Sequence, residues 1–236
     1  MTKLPRRLFP ERMDEPDLDR AEHVRALAGL RRINAWSLTT NYLWRAITHI
    51  ASERAIQSLR ILDVACGGGD LSVQLASRAR RAGINVTVHG CDMSSTAIDE
   101  ATALASRHGF DNCHYFVCNV LEQPLADQYD IITSSLFLHH LSEPDAIKLL
   151  STLSHAARHA VLVDDLIRSR FGYFLAQVGC RVLSRSPIVH YDGPVSVLGA
   201  YTLDEAKQLA LEAGLAGASF SRHWPERYLM CWKRDV

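Results

Sequence analysis

The stretch Ile61 to Ala76 reads ILDVACGGGDLSVQLA. An apolar run ends in an acid, a loop of small residues follows with three consecutive glycines, and a helical pattern then begins. This is strand, turn and helix, and a glycine turn ahead of a helix exposes backbone N–H groups to a closely approaching ligand. The phosphate-loop pattern requires a lysine after its last glycine, and none follows Gly69. The dinucleotide pattern G-x-G-x-x-G is met at Gly67 and Gly69 but has Ser72 where its third glycine belongs. A third pattern, an acid followed by alternating small residues, is met by Asp63, Ala65, Gly67 and Gly69. Roughly twenty residues further on, at the ribose-binding position, VHGCDMS places Asp92 at the tip of a second strand.

Outward from this stretch, β-rich runs alternate with amphipathic segments. The strands are LRILDVA, NVTVHGC, CHYFVC, YDIITSS and HAVLVDD, with helical patterns between most of them. That alternation predicts a parallel sheet with helices on both faces and right-handed crossovers. RSRFGYFLAQVGCRVLSR reads as a helix with Gly172 and Gly179 as weak points. SPIVHYDGPVSVLGA, with two prolines and two glycines, reads as an irregular binding loop. TLDEAKQLALEAGL opens on a capping box from Thr202 to Glu205 and ends at Gly214. GASFSRHW and RYLMCWKR flank Pro225 as a hairpin. At the other end, residues 1–19 read as extended, Asp19 caps a helix through RAEHVRALAGLRRINAW, and Asn41 opens a second helix.

ILDVACGGGD, GCDMS, YDIITSSLFLHHL and VLVDDL stand in an order and spacing that resembles the class I S-adenosylmethionine-dependent methyltransferases, of the bacterial small-molecule type. The resemblance covers residues 59–165 by motif and continues to the C-terminal hairpin by topology. It implies an α/β, Rossmann-like, seven-stranded and mostly parallel sheet with a C-terminal antiparallel hairpin. It divides the chain into an N-terminal helical lid over 1–58 and the methyltransferase domain over 59–236, with 166–200 as a substrate-pocket insertion. The implied cofactor is S-adenosyl-L-methionine. Ala65, Cys66 and Gly67 to Gly69 would pass under its methionine and ribose, and Asp63 would organise the loop. Asp92 would take the ribose hydroxyls, Met93 the adenine face, and Ser135 would lie near the methionine. Asn119 stands where the family usually has an acid for the adenine amine, with the backbone of Val120 beside it. Arg31, Arg32, Asn34 and Trp36 would lie at the lid.

Composition narrows the acceptor. Lysine plus arginine equals aspartate plus glutamate, 26 against 26, so no basic surface calls for nucleic acid. No apolar run reaches the length of a membrane span, and the N-terminus has no secretory apolar region. The six cysteines form no C-x-x-C pair, which predicts reduced thiols, no metal centre and a cytoplasmic location. The expected partner is a small, partly hydrophobic methyl acceptor such as a phenol, quinone precursor or polyketide, with O-methylation ahead of C-methylation. The segment FGYFLAQVGCRVL is open to three readings: pocket wall, core or homodimer face.

Candidate catalytic bases are His139 and His140 after the fourth strand and Asp164 at the end of the fifth. Asp165, Arg168, His190 and Tyr191 are candidate substrate contacts, with Arg222, His223 and Trp224 as further ones. Each has a competing role as a cap or packing group. Two rival functions stand beside this one. A nicotinamide-dependent oxidoreductase is opposed by Ser72, and an inactive methyltransferase-fold binding module is opposed by the intact Asp63, Gly67, Gly69 and Asp92.

Overall fold

A computed structural model describes residues 4–15, 17–125 and 128–235. Seven strands build one sheet: β1 (Ser58–Val64), β2 (Asn85–Asp92), β3 (Cys113–Val117), β4 (Tyr129–Ser135), β5 (Ala157–Leu166), β6 (Ser219–His223) and β7 (Arg227–Lys233). Their order is β3-β2-β1-β4-β5-β7-β6. All pairings are parallel except those of β7, which runs antiparallel to both β5 and β6. The sheet therefore has the predicted mostly parallel form with a C-terminal hairpin. Strand order reverses between β1 and β4, and ligands of open parallel sheets bind at the carboxyl edge of such a switch point.

The helices are α1 (Arg20–Trp36), α2 (Thr39–Glu53), α3 (Asp70–Ala82), α4 (Ser95–Arg107), α5 (Glu143–Ala156), α6 (Arg170–Leu183), α7 (Pro187–Gly199) and α8 (Leu203–Glu212). Strand β1 is covered on both faces, which is why its sequence is a nearly continuous apolar run. Ile61 shares one buried cluster with Leu43 and Ile47 of α2 and Leu75 of α3. Leu62 and Val64 share a second cluster with Leu149 and Leu153 of α5 and Leu209 of α8. A third, smaller cluster joins Ala26 of α1 to Cys180 of α6 and to Ile188 and Val189 of α7. It roofs the sheet rather than filling a layer. The capping box is formed, with the Glu205 backbone N–H donating to Thr202 Oγ1 and the Thr202 N–H to Glu205 Oε2.

Three local readings are corrected. SPIVHYDGPVSVLGA is the helix α7, not an irregular loop, although Pro194 lies inside it. Tertiary contacts outweigh its breakers: Ile188, Val189 and Val197 are buried, and Gly193 leaves room for Cys180 of α6, whose Sγ would lie 2.2 Å from an added Cβ. Helix α2 opens at Thr39, because Leu38 takes a left-handed conformation (φ 58°) and its carbonyl accepts the Asn41 N–H. The N-terminal stretch is not simply extended. Residues 12–14 form a 3-10 turn, Arg7 N–H donates to Leu198 O, and the Arg6 guanidinium donates to Gly199 O and Leu141 O. It is a strap across α7, although residues 1–3 and 16 of the stretch lie outside the described residues.

Gly69 is fixed by its surroundings. Its φ is +74°, and a Cβ there would stand 2.7 Å from Ala101 Cβ on α4. Gly69→Ala is expected to cost about 2–4 kcal/mol in a denaturant melt, combining left-handed strain with overpacking.

Candidate active site

The carboxyl edge of β1 and β2 forms a cradle. Ala65 (φ 55°), Gly67 (φ 51°) and Gly69 (φ 74°) all take positive φ, which folds the chain tightly between β1 and α3. Asp92 locks this loop to the second strand: its Oδ2 accepts the Gly67 N–H at 2.9 Å and its Oδ1 accepts the Ser94 N–H at 2.9 Å. Burial raises the Asp92 carboxyl, and these two donors oppose the rise. Each oxygen keeps a lone pair. Met93 (70% exposed) and Val117 (54% exposed) stand beside it as uncovered apolar groups at the ends of β2 and β3. A carboxylate with free lone pairs between uncovered apolar side chains suits a flat, hydroxyl-bearing ligand such as a nucleoside. Asn119 turns inward to its own loop, its Oδ1 accepting the Leu121 N–H at 3.1 Å, and Val120 is buried.

Beneath the loop lies Asp63, 1% exposed. It accepts from Ser72 Oγ of α3 at 2.8 Å and Thr133 Oγ1 of β4 at 3.2 Å. Ser72, which breaks the dinucleotide pattern, thus has a defined task here. Burial pushes the Asp63 carboxyl up to about 7, against these hydrogen bonds and with the help of neighbouring Asp92 and Asp70. The unfolded chain titrates near 4, so the native state holds an extra proton between about pH 4 and pH 7. Stability from this group is therefore lost as pH rises through that window. Asp63→Asn is expected to be more stable than the wild type at pH 8 by a few kcal/mol, with the gap closing toward pH 5; paired urea melts at the two pH values check it.

Helix α1 lies over the loop. Leu27 side-chain carbons come within 3.7–3.9 Å of where Cβ atoms on Gly67 and Gly68 would be, and Arg31 pairs with Asp70 at the start of α3. Arg20 reaches Asp99 of α4 at 3.0 Å. Trp36 meets Trp224 edge to face at 4.9 Å.

The carboxyl edge of β4 and β5 carries two buried polar networks. In the first, Asp164 is 0% exposed. His223 Nε2 donates to its Oδ2 at 2.5 Å, and Arg227 Nη1 lies 3.5 Å from its Oδ1. Arg227 also donates to Thr39 Oγ1 at 2.6 Å and Asn34 Oδ1 at 3.3 Å. Asp164 is therefore an anchor for a buried guanidinium, and no lone base stands there. In the second network, His139 Nδ1 faces Asp165 Oδ1 at 2.7 Å, and the His139 N–H donates to Asp165 Oδ2 at 3.0 Å. Glu11 Oε1, from the strap, stands 3.7 Å from His139 Nε2 and 3.8 Å from His140 Nε2. His140 Nδ1 faces Asp14 Oδ2 at 3.2 Å. Burial alone would lower the His139 imidazolium, but Asp165, and Glu11 after it, raise it to about 10. As placed, His139 is a cation between two carboxylates and not a free base.

The remaining candidates are dispersed. Ser135 ends β4, half-buried, beside Asp164 of β5. The Arg168 guanidinium is spent on Leu4 O, Ala200 O and Glu205, which ties the strap to α8. His190 Nε2 donates to Ser184 O, and Tyr191 lies on the surface under the Arg12 guanidinium. The α6 segment is no core helix along one stripe: Phe171, Phe174, Val178 and Val182 are 46–75% exposed. Glu11 and Asp14 are absent from the sequence-based candidates. The acidic stretch ERMDE was their only signal, and nothing in it announces that it folds onto the two histidines.

Residues 57–158 match the family model described as a methyltransferase domain. The ubiquinone biosynthesis O-methyltransferase of Acinetobacter baylyi is 31% identical over 129 residues, covering 53% of this chain and 51% of that protein. That of Pseudomonas putida is 24% identical over 188 residues, covering 75% and 77%. The chain thus spans about half the length of the first relative. Among solved structures, the magnesium protoporphyrin IX methyltransferase of Synechocystis superposes with a TM-score of 0.59 at 16% identity, over 95% of this chain and 92% of that one. No helix among the described residues is long and apolar enough to cross a membrane. Residues 57–158 thus match a methyltransferase domain, and the strand order around that domain gives the chain the Rossmann-like fold of the solved methyltransferases it resembles.

Proposed function

We propose that the chain transfers a methyl group from S-adenosyl-L-methionine to an oxygen of a small, partly hydrophobic acceptor of the phenol or quinone-precursor type. The observation that carries the reading is the cradle in which Asp92 is bonded to the glycine loop and flanked by Met93 and Val117. When bound, the cofactor supplies an electrophilic methyl group on a sulfonium. In this reading Asp92 accepts the ribose hydroxyls, Met93 and Val117 cover the adenine, and Val120 presents its backbone nearby. Gly67 to Gly69 admit the ligand close to the main chain, with Ala65 and Cys66 shaping the turn. Ser135 borders the methionine end, and Asp63 holds the loop from below.

The acceptor lies at the β4–β5 edge, under the strap, α6 and α7. The chain's task there is alignment and exclusion of water, and holding reacting groups in line is worth several kcal/mol. The proton of an acceptor hydroxyl leaves toward the Glu11 carboxylate, which stands beside His139 and His140. Arg12 and Tyr191 stand at its rim. Relatives named as ubiquinone biosynthesis O-methyltransferases support oxygen as the acceptor atom. The cytoplasm is the proposed location.

Two measurements test this. Calorimetry with S-adenosylhomocysteine is expected to give one site per chain, and a hundredfold excess over its dissociation constant is expected to add about 2.7 kcal/mol of stability. A mass-spectrometric screen of phenols and hydroquinones is expected to find products with one added methyl. Stabilisation by nicotinamide dinucleotides, with no response to millimolar S-adenosylhomocysteine, would overturn the reading.

A further inference from the structure

We propose that Glu11, His139 and His140 bind one divalent transition-metal ion of the zinc class, with Asp165 and Asp14 orienting the two imidazoles. The inference rests on how the five side chains face one another and does not depend on the identity of the methyl acceptor.

The three ligand atoms converge. Glu11 Oε1 is 3.7 Å from His139 Nε2 and 3.8 Å from His140 Nε2, and all candidate ligand atoms lie within 4.8 Å of one another. These separations are too long for hydrogen bonds. The two Glu11 separations lie about half an ångström beyond the ~3.3 Å between tetrahedral donors that each sit about 2.0–2.1 Å from zinc. A small inward movement of each side chain closes the shell.

The two rings are aimed. His139 Nδ1 is engaged by Asp165 at 2.7 Å and His140 Nδ1 by Asp14 at 3.2 Å. An ion that displaces the Nε2 proton of His139 would leave the ring proton on Nδ1, and both Nε2 atoms then face the same space beside Glu11 Oε1. A carboxylate behind each ligating histidine is the arrangement that fixes tautomer and ring direction in metal sites. The two rings are tilted 34° to each other with their centroids 4.3 Å apart. Ser196 Oγ donates to Glu11 Oε1 at 2.6 Å and fixes that carboxylate as well.

Depth and charge agree with an ion. The side chains of His139, Glu11 and His140 are 4%, 11% and 22% exposed, so the site is enclosed but open on the His140 side. Glu11, Asp14 and Asp165 bring three carboxylates to two imidazoles, and Asp192 stands nearby, accepting from the backbone N–H groups of Arg12 and Met13. Two nitrogens and one carboxylate favour zinc-class ions, whereas magnesium and calcium favour all-oxygen shells. Three protein ligands leave a position open for water or an anionic oxygen. Because Glu11 belongs to the strap, the ion would also pin the strap to the β4–β5 edge.

The test uses the full chain, stripped with a chelator and titrated with Zn²⁺ alone, then with Co²⁺ as a spectroscopic probe. One ion per chain is expected, with a cobalt ligand-field spectrum showing nitrogen ligation. His140→Ala and Glu11→Gln are expected to weaken Zn²⁺ binding at least about a hundredfold, and Asp14→Asn about 10–100-fold. Magnesium is expected not to compete. S-adenosylhomocysteine affinity, measured on the same samples, is expected to stay within a few-fold of the wild type. That reports a folded chain and keeps this result separate from the fate of the methyltransferase reading. Zn²⁺ affinity in the wild type equal to that of the Glu11→Gln/His140→Ala double variant, or a purely aqueous cobalt spectrum, would overturn the proposal and leave His139 as a metal-free ion bridge between Glu11 and Asp165.

Discussion

Asp164→Ala is expected to destabilise the chain by about 3–5 kcal/mol, the range for removing one partner of a buried ion pair. The variant leaves the Arg227 guanidinium, 2% exposed, without its carboxylate, and it removes the acceptor facing His223 Nε2. Burial already lowers the Arg227 guanidinium, and Asp164 is the main group opposing that. Urea melts give the free energy directly, and a thermal scan is expected to show a drop of roughly 10 °C. The double variant Asp164→Ala/Arg227→Met is expected to recover part of the loss, because an apolar replacement of both partners leaves no buried charge. If Asp164→Ala instead melts with the wild type and loses only turnover, Asp164 is a catalytic group and the anchoring role is wrong.

Asp92→Ala is expected to act on ligand affinity far more than on stability. The carboxylate is half-buried, so water can replace it at the Gly67 and Ser94 N–H groups, at a cost of about 1 kcal/mol. A ligand hydroxyl bonded to a charged acceptor loses about 1.5–3 kcal/mol when that acceptor goes. Two such hydroxyls and a loosened glycine loop are expected to weaken S-adenosylhomocysteine binding by at least about a hundredfold. Calorimetry on a variant with an unchanged melting curve makes the comparison clean. An affinity within twofold of the wild type would place the ribose elsewhere.

The legible part of the chain is the part written locally. The strand β1, the loop after it and Asp92 announce themselves through apolar runs, glycine spacing and a carboxylate at the expected distance. Asp19 and Thr202 mark the helix starts at Arg20 and Leu203, because a cap acts on the residues beside it. The partners of Asp164, His223 and Arg227, lie 59 and 63 residues away, so its ion pair is invisible in the local sequence. Nothing beside Asp164 in sequence reveals a guanidinium in the core. Helix α7 was misread for a related reason. Its prolines and glycines are local breakers, whereas the contacts that hold it, Cys180 against Gly193 and Asp192 against the strap, are made by distant chain. Glu11 belongs with these: its chemistry exists only once the strap is laid across the sheet.

The left-handed joint at Leu38 separates two helices of unequal attachment. Helix α2 buries Leu43, Ile47 and Ile50 in the main core, and its first residue, Thr39, accepts from Arg227 at 2.6 Å. Helix α1 buries only Ala26, Leu27 and Gly29, and its link to the same guanidinium, through Asn34, is the longer one at 3.3 Å. The free energies of local opening on the two sides of the joint are therefore expected to differ, with amide protons of α1 exchanging before those of α2 in a native-state hydrogen-exchange measurement. Opening of α1 about residues 37–38 is therefore expected to leave α2 and the main core at full stability.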